Sequence, residues 1–292
     1  MSQTRDFTWN VKGYTTKHPI LIDETAVAAQ RDLECNAIPG PQKVLVAGNW
    51  VKEFTVGPFQ LSTRTLTIHA AHAPGGVGCY FLPYRPDCAT TMTLGNAALW
   101  FFTSNLTGCT VQVIGPAATP TVTHANARTR YNQEVENHWP KRADGRNENP
   151  DLVDDTTKNH VEATAGAIAQ MDMNGLLPAV PGGVTSGVLP RAGYQSKVNQ
   201  ANVEFGKRYF NGHKLNYSLS NDVVPSRTLE LNKPEVGAFV FGYFKHGGWK
   251  FYCQASVKIR GNFDVWHFLK PNEKRGVYGN SIVLGAPTKI FG

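Results

Sequence analysis

Nowhere does this chain run through the roughly 20 consecutive apolar residues that a helix needs to cross a bilayer. Its longest apolar run, Ala97–Phe102, is strand-sized. The opening MSQTRDFTWN holds no apolar stretch of the kind a cleaved secretory signal carries, so export would require a dedicated machine. Charged residues are scarce at 17%, while Gly and Thr are frequent, which favours strands and turns over helical bundles. The five cysteines are odd in number, scattered and without a CxxC pair, so a disulfide framework is not expected and a reducing compartment is. Metal-ligand spacing is missing as well. His69 and His72, with Cys79 nearby, come nearest to a zinc set, but TLTIHAAHA reads as a strand running into a loop. Neither a metal nor an organic cofactor is expected.

What is present is a 292-residue chain, read as one domain, long enough to bury roughly 75% of its unfolded surface. Its net charge of +7 is uneven. Residues 1–205 hold 16 Lys/Arg against 17 Asp/Glu, and residues 206–292 hold 13 against 5. A basic C-terminal third suits nucleic acid, an acidic membrane surface or an acidic protein, or simply a solubilising surface. No nucleic-acid motif accompanies the charge, so a nucleic-acid partner is not expected.

Along the chain, LIDETAVAAQRDLE (Leu21–Glu34) predicts a short helix ending before the Pro39-Gly40-Pro41 breaker. Residues 43–127 predict a run of short strands: KVLVAG, TRTLTIHA, VGCYFLPY, AALWFFTS, CTVQVIG and PTVTHA. ALWFF, apolar on both faces, belongs in the middle of a sheet. Residues 128–150 read as a charged surface excursion. A helix follows over about 151–174, with Asp154 and Asp155 in or near its first turn, Val161, Ala165, Ile168 and Met171 at helical spacing, and Gly175 as C-cap. Pro178–Pro190 reads as a loop, and residues 200–292 return to strands, with His246-Gly247-Gly248 as a tight hairpin. The expected fold is α/β: a β-sandwich-like core with flanking helices and long loops.

Chemistry concentrates in FFTSNLTGCTVQVIGPAATPTVTHAN (Phe101–Asn126). A hairpin centred between Pro116 and Ala117 pairs Cys109 with His124 and Val111 with Val122, close enough for a thiol to meet an imidazole. Strand alternation puts Cys109, Val111, Val113, Val122 and His124 on one face, with Thr110, Gln112, Thr121 and Thr123 on the other. A cysteine beside an imidazole can exist as thiolate with imidazolium, each charge stabilising the other. The thiolate attacks an amide carbonyl to give a thioester, and the imidazole protonates the leaving group and then activates water. Gly108 lets substrate approach the backbone, and the Cys109 N–H is a natural oxyanion donor. The structural alternative is a buried, inert cysteine and a hydrogen-bonded core histidine. Cys79, Cys253, Cys35 and Cys88 have no histidine placed beside them, and Cys79 reads as structural. His246 reads as an exposed turn residue, and the aromatic crowd from Phe239 to Tyr252 reads as strand core.

NLTGCTVQV, followed by VTHAN, resembles the L-S/T-G-C signature of bacterial glutamine-deamidating toxins, the cytotoxic necrotizing factor and Burkholderia lethal factor group. The resemblance implies Leu106, Thr107, Gly108 and Cys109 as the signature, with Cys109 the nucleophile and His124 the base. Thr107 and Gly108 then flank the substrate and its oxyanion. The third residue varies between branches of the group. The lethal-factor branch implies Thr103, six positions before the cysteine, as the residue that helps to orient the histidine, with hydroxyls also at Ser104 and Thr110. Thr107 stands where serine is commoner. The implied fold is that of the necrotizing-factor catalytic domain. The implied function is a secreted effector that converts a protein glutamine to glutamate in a target cell, on a substrate such as a Rho-type GTPase. The same dyad serves a cysteine protease or a transglutaminase. A non-enzymatic β-rich binding protein, polyanion-binding through its basic third, is the alternative of another class.

Overall fold

The computed structural model describes residues 3–18, 20–29, 43–45, 51–58, 64–190, 193, 235–264, 276–283 and 287–292. Two short helices, α1 (Gln3–Trp9) and α2 (Val11–Lys17), lead into strands β1 (Ile20–Asp23), β2 (Lys43–Leu45), β3 (Val51–Pro58), β4 (Arg64–His69) and β5 (Val77–Leu82). Strands β6 (Ala89–Thr93), β7 (Trp100–Thr103), β8 (Thr110–Ile114) and β9 (Thr121–Ala125) follow. Helices α3 (Arg128–His138) and α4 (Asp155–Leu176) precede β10 (Ser186–Leu189), β11 (Glu235–Lys245), β12 (Gly248–Asp264), β13 (Gly276–Val283) and β14 (Thr288–Phe291).

Among the described residues the strands form two sheets. The larger runs β1-β4-β3-β5-β7-β11-β12-β13, with β14 also on β12, and the smaller runs β10-β8-β9-β6-β2. Both feed one hydrophobic cluster: Phe54, Phe81, Phe101 and Phe251 from the larger, Val111, Val113 and Val122 from the smaller. The opposite face of the smaller sheet is covered by α4, whose Ala169 and Met173 pack on Ala89, Ala125 and Ala127. Thr110 on that face exchanges hydrogen bonds with Gln170. The architecture is thus mixed α/β and dominated by strands. No helix among the described residues is long and apolar enough to cross a membrane.

Several expectations hold in detail. WFFT of β7 is buried throughout and lies between β5 and β11, as its two-sided apolarity demands. The β11–β12 hairpin turns on His246 and Gly247, both at positive φ (54° and 78°), the geometry a two-residue turn requires. Phe239, Phe241, Trp249, Phe251 and Tyr252 are all buried.

Others are corrected. The stretch Leu21–Glu34 opens as a strand through Asp23, paired in parallel with β4, and is helical over 25–29; its remainder lies outside the described residues. So do 200–234 and 265–275, which hold much of the basic third. The excursion at 128–150 begins with an 11-residue helix. Nearly all its side chains are polar, so no apolar stripe announces it. It is supported instead by Arg130–Glu134 at 3.2 Å and His138–Glu134 at 3.4 Å, each four residues apart, and ends before Pro140. The buried stripe of α4 is Val161, Ala165, Ala169 and Met173, while Ile168 is half-buried and Met171 is 64% exposed. Small alanines at that spacing let the helix lie close on the sheet. The helix passes Gly175 and stops at Leu177, because a residue before proline, here Pro178, prefers extended backbone. Within Pro178–Pro190, Ser186–Leu189 pairs antiparallel with β8.

Asp154 caps α4, accepting from the Thr157 N–H at 2.9 Å and its hydroxyl at 2.7 Å. Asp154→Ala should cost about 1 kcal/mol in urea unfolding, with no change in the reactivity of Cys109.

Candidate active site

The β8–β9 hairpin forms, with a different register from the one the spacing suggests. Ile114 pairs with Thr121, Val113 with Val122, Val111 with His124 and Thr110 with Ala125. Pairing Cys109 with His124 and Val111 with Val122 would have put Pro120 into the ladder opposite Val113. Proline has no N–H to give there, so the strands close only beyond it. Gly115, at φ 103°, begins the loop, and the Thr119 N–H donates to the Pro116 carbonyl inside it. The shift is two residues, an even number, so the facing set survives. Cys109 now meets Asn126, and His124 becomes its diagonal neighbour on the same face.

Cys109 is 1% exposed, and its Sγ accepts a hydrogen bond from Asn126 Nδ2 at 3.2 Å. The amide cannot face the other way. Its Oδ1 is taken by the Arg128 N–H at 2.9 Å and the Asp87 N–H at 3.3 Å, which leaves Nδ2 aimed at the sulfur. Burial pushes the thiol up to about 11, although Asn126 and the backbone N–H groups of Thr107 and Gly108 all favour the thiolate. His124 is fully buried, and neither ring nitrogen has a hydrogen-bond partner. Desolvation alone holds its pKa at about 3. Burial thus favours the uncharged form of both groups, against the thiolate–imidazolium pair that their spacing suggests.

A cavity of about 320 Å³ opens over the cysteine loop, lined by Tyr84, Thr107, Gly108, Asn126, Arg128 and Tyr131 among others. A Cβ placed on Gly108 would meet nothing, so the backbone there faces open space. Tyr84 lies near both His124 and Arg128: its ring is 6.1 Å from that of His124, and the Arg128 cation acts on its hydroxyl.

Thr103 lies elsewhere in the hydrogen-bond scheme. It is buried on β7, and its hydroxyl accepts the Val240 N–H at 3.0 Å, tying β7 to β11. Since His124 has no hydrogen-bond partner, Thr103 does not orient it in this structure. The residue that sequence reasoning missed is Asn126. Its signal was available, since it shares strand parity with His124, but only the register brings it to the sulfur.

The other candidates among the described residues are accounted for structurally, while Cys35 lies outside them. Cys79, Cys88 and Cys253 are buried, and desolvation drives the Cys79 thiol far up. His69 bonds the Thr55 hydroxyl and His72 pairs with Glu53. Among the described residues no three His, Cys, Asp or Glu side chains stand together to hold a metal.

No protein-family profile matches the chain, and no curated protein does. Among solved structures, the crystal structure of the C-terminal domain of CNFy from Yersinia pseudotuberculosis aligns over 84% of this chain and 89% of that chain, at 6% identity and a TM-score of 0.17. A likeness at that level carries no argument about fold or function, and the chemistry must be argued from the residues themselves.

Proposed function

We propose that the protein is a cysteine-dependent amide hydrolase that converts a protein glutamine to glutamate, with Cys109 as nucleophile and His124 as base. One observation carries the reading. A buried thiol is held by Asn126, a residue that lines the cavity, and lies diagonally across the hairpin from a buried imidazole whose two nitrogens have no hydrogen-bond partner. Leaving such polar atoms unsatisfied costs about 1–3 kcal/mol, a cost that a reacting group repays in turnover. The L-T-G-C signature at Leu106–Cys109 and its resemblance to the necrotizing-factor group supply the reaction class and the effector role in a target cell.

The protonation states set the sequence of events. His124 is neutral and able to accept, so it works as a general base on the thiol during attack. The S–H proton passes to the imidazole as sulfur bonds the amide carbon, and the carbonyl π pair moves onto oxygen. Collapse expels ammonia, which takes the proton from His124, and leaves a thioester. Water, deprotonated by His124, then releases glutamate and restores the thiol.

The test is ammonia release from a glutaminyl peptide blocked at both ends, with glutamate identified by mass spectrometry, with and without added primary amine. Glutamate in both supports deamidation, an amine adduct supports transglutamination, and backbone cleavage a protease. A second reading has its own observation in the near-complete burial of both side chains. On it Cys109 and His124 are core residues of a non-enzymatic binding protein, and no product forms.

A further inference from the structure

Asn126 Nδ2 donates to the Cys109 sulfur at 3.2 Å. A fixed amide N–H is the kind of donor a tetrahedral oxyanion requires. Here it is taken by the nucleophile itself. His124, the acceptor the thiol needs in order to react, stands on the same face without a partner. The sulfur thus occupies the Asn126 donor that a substrate's carbonyl oxygen would need. The donor from Asn126 is rigid, since the backbone N–H groups of residues 87 and 128 pin its Oδ1. Asn126 lines the cavity together with Thr107 and Gly108, so a ligand entering it meets the residue that holds the sulfur.

We propose that Asn126 is a catalytic residue that holds the sulfur while the site is empty and binds the substrate's carbonyl oxygen once the thiol turns to His124. The proposal rests on the amide-hydrolase reading and adds how the site stays silent until substrate arrives. A glutamine carbonyl competes for the Asn126 donor. The displaced thiol rotates towards His124, which takes its proton, and the new C–S bond leaves negative charge on the oxygen that Asn126 now holds. The stored thiol is therefore poorly nucleophilic, and reactivity appears only with a bound acceptor. Other groups that act on the sulfur are the Glu24 carboxylate, which disfavours the thiolate, and the Tyr84 hydroxyl, on which the Arg128 cation acts.

Two variants test this, with iodoacetamide and a blocked glutaminyl peptide as probes. In Asn126→Ala the sulfur loses its holder and pairs with His124, so the pH midpoint of Cys109 alkylation should fall towards neutrality. Peptide turnover should nevertheless drop about 100-fold or more. Were Asn126 only a stabiliser of the thiolate, its removal would raise that midpoint, and a midpoint raised or unmoved overturns the proposal. Asn126→Asp keeps the oxygen that ties residues 87 and 128 and replaces only the donor. It should retain the wild-type circular dichroism spectrum and lose turnover to the same degree; full turnover in it also overturns the proposal. A downward midpoint shift in Asn126→Ala that disappears when His124→Leu is added supports it. A wild type that releases no ammonia at all, with the midpoint shift still present in Asn126→Ala, overturns the hydrolase reading instead, so the two failures are distinguishable.

Discussion

Cys109→Ser should lose turnover by about 10⁴-fold or more while unfolding within about 1 kcal/mol of wild type. The serine oxygen sits where the sulfur sits, beneath Asn126 Nδ2, and accepts that hydrogen bond at least as well. Nothing in the packing need change. What changes is the nucleophile: an alkoxide is far harder to form than a thiolate, and a neutral imidazole is a weak base for it. Cys109→Ala makes the contrast. It leaves the buried Asn126 amide without its acceptor, so it should cost about 1–3 kcal/mol as well as all activity. Equilibrium urea unfolding beside ammonia release separates the two effects. Full activity in Cys109→Ser would remove this cysteine from the chemistry.

Replacing His124 with leucine should abolish turnover and leave the protein as stable as before, or more so. The imidazole is fully buried, has no hydrogen bond and faces an apolar interior beside Val111, Val113 and Val122. Removing unsatisfied buried polar atoms should stabilise by about 1–3 kcal/mol, a gain typical of residues kept for activity rather than folding. The pH dependence carries the same signature. Folded His124 titrates at about 3 and an unfolded histidine near 6.5. Between those values the unfolded chain binds a proton that the folded chain refuses, so stability is complete above about 6.5 and falls as pH drops towards 3. The loss attributable to this residue is on the order of 5 kcal/mol at the acid end. His124→Leu should flatten that limb in unfolding curves taken from pH 8 to pH 3. A leucine variant that is destabilised at neutral pH and still active would show a packing role instead.

How much of this was legible in the sequence depended on how local each feature is. Strand alternation is decided residue by residue, so Cys109, Val111, Val113, Val122 and His124 could be assigned to one face without knowing the fold, and the assignment stands. The hairpin at His246-Gly247 was readable for the same reason, because its backbone angles follow from the residues in the turn. Helix α3 was not readable, since its charged side chains carry no apolar period and its support comes from Arg130 and His138 closing on Glu134. The phase of α4 was half visible. Val161 and Ala165 were right, but the sheet beneath selects Ala169 and Met173 over the larger Ile168 and the exposed Met171.

Within the candidate site the division is sharper. Composition and motif alone point to a thiol with a nearby histidine and exclude a helical membrane span of the usual length. Which side chain touches the sulfur was settled elsewhere, by Pro120 pushing the ladder two residues along and by the backbone at Asp87 and Arg128 pinning the Asn126 amide. Thr103 shows the same limit: its hydroxyl is claimed by Val240, 137 residues away in the chain. Charge state depends on the fold too, because a thiol at about 11 and an imidazole at about 3 are products of desolvation between two sheets. Alternation and turn chemistry act over a few residues and can be read in order. Register, burial and long-range hydrogen bonds arise from chain segments that become neighbours only when the protein has folded.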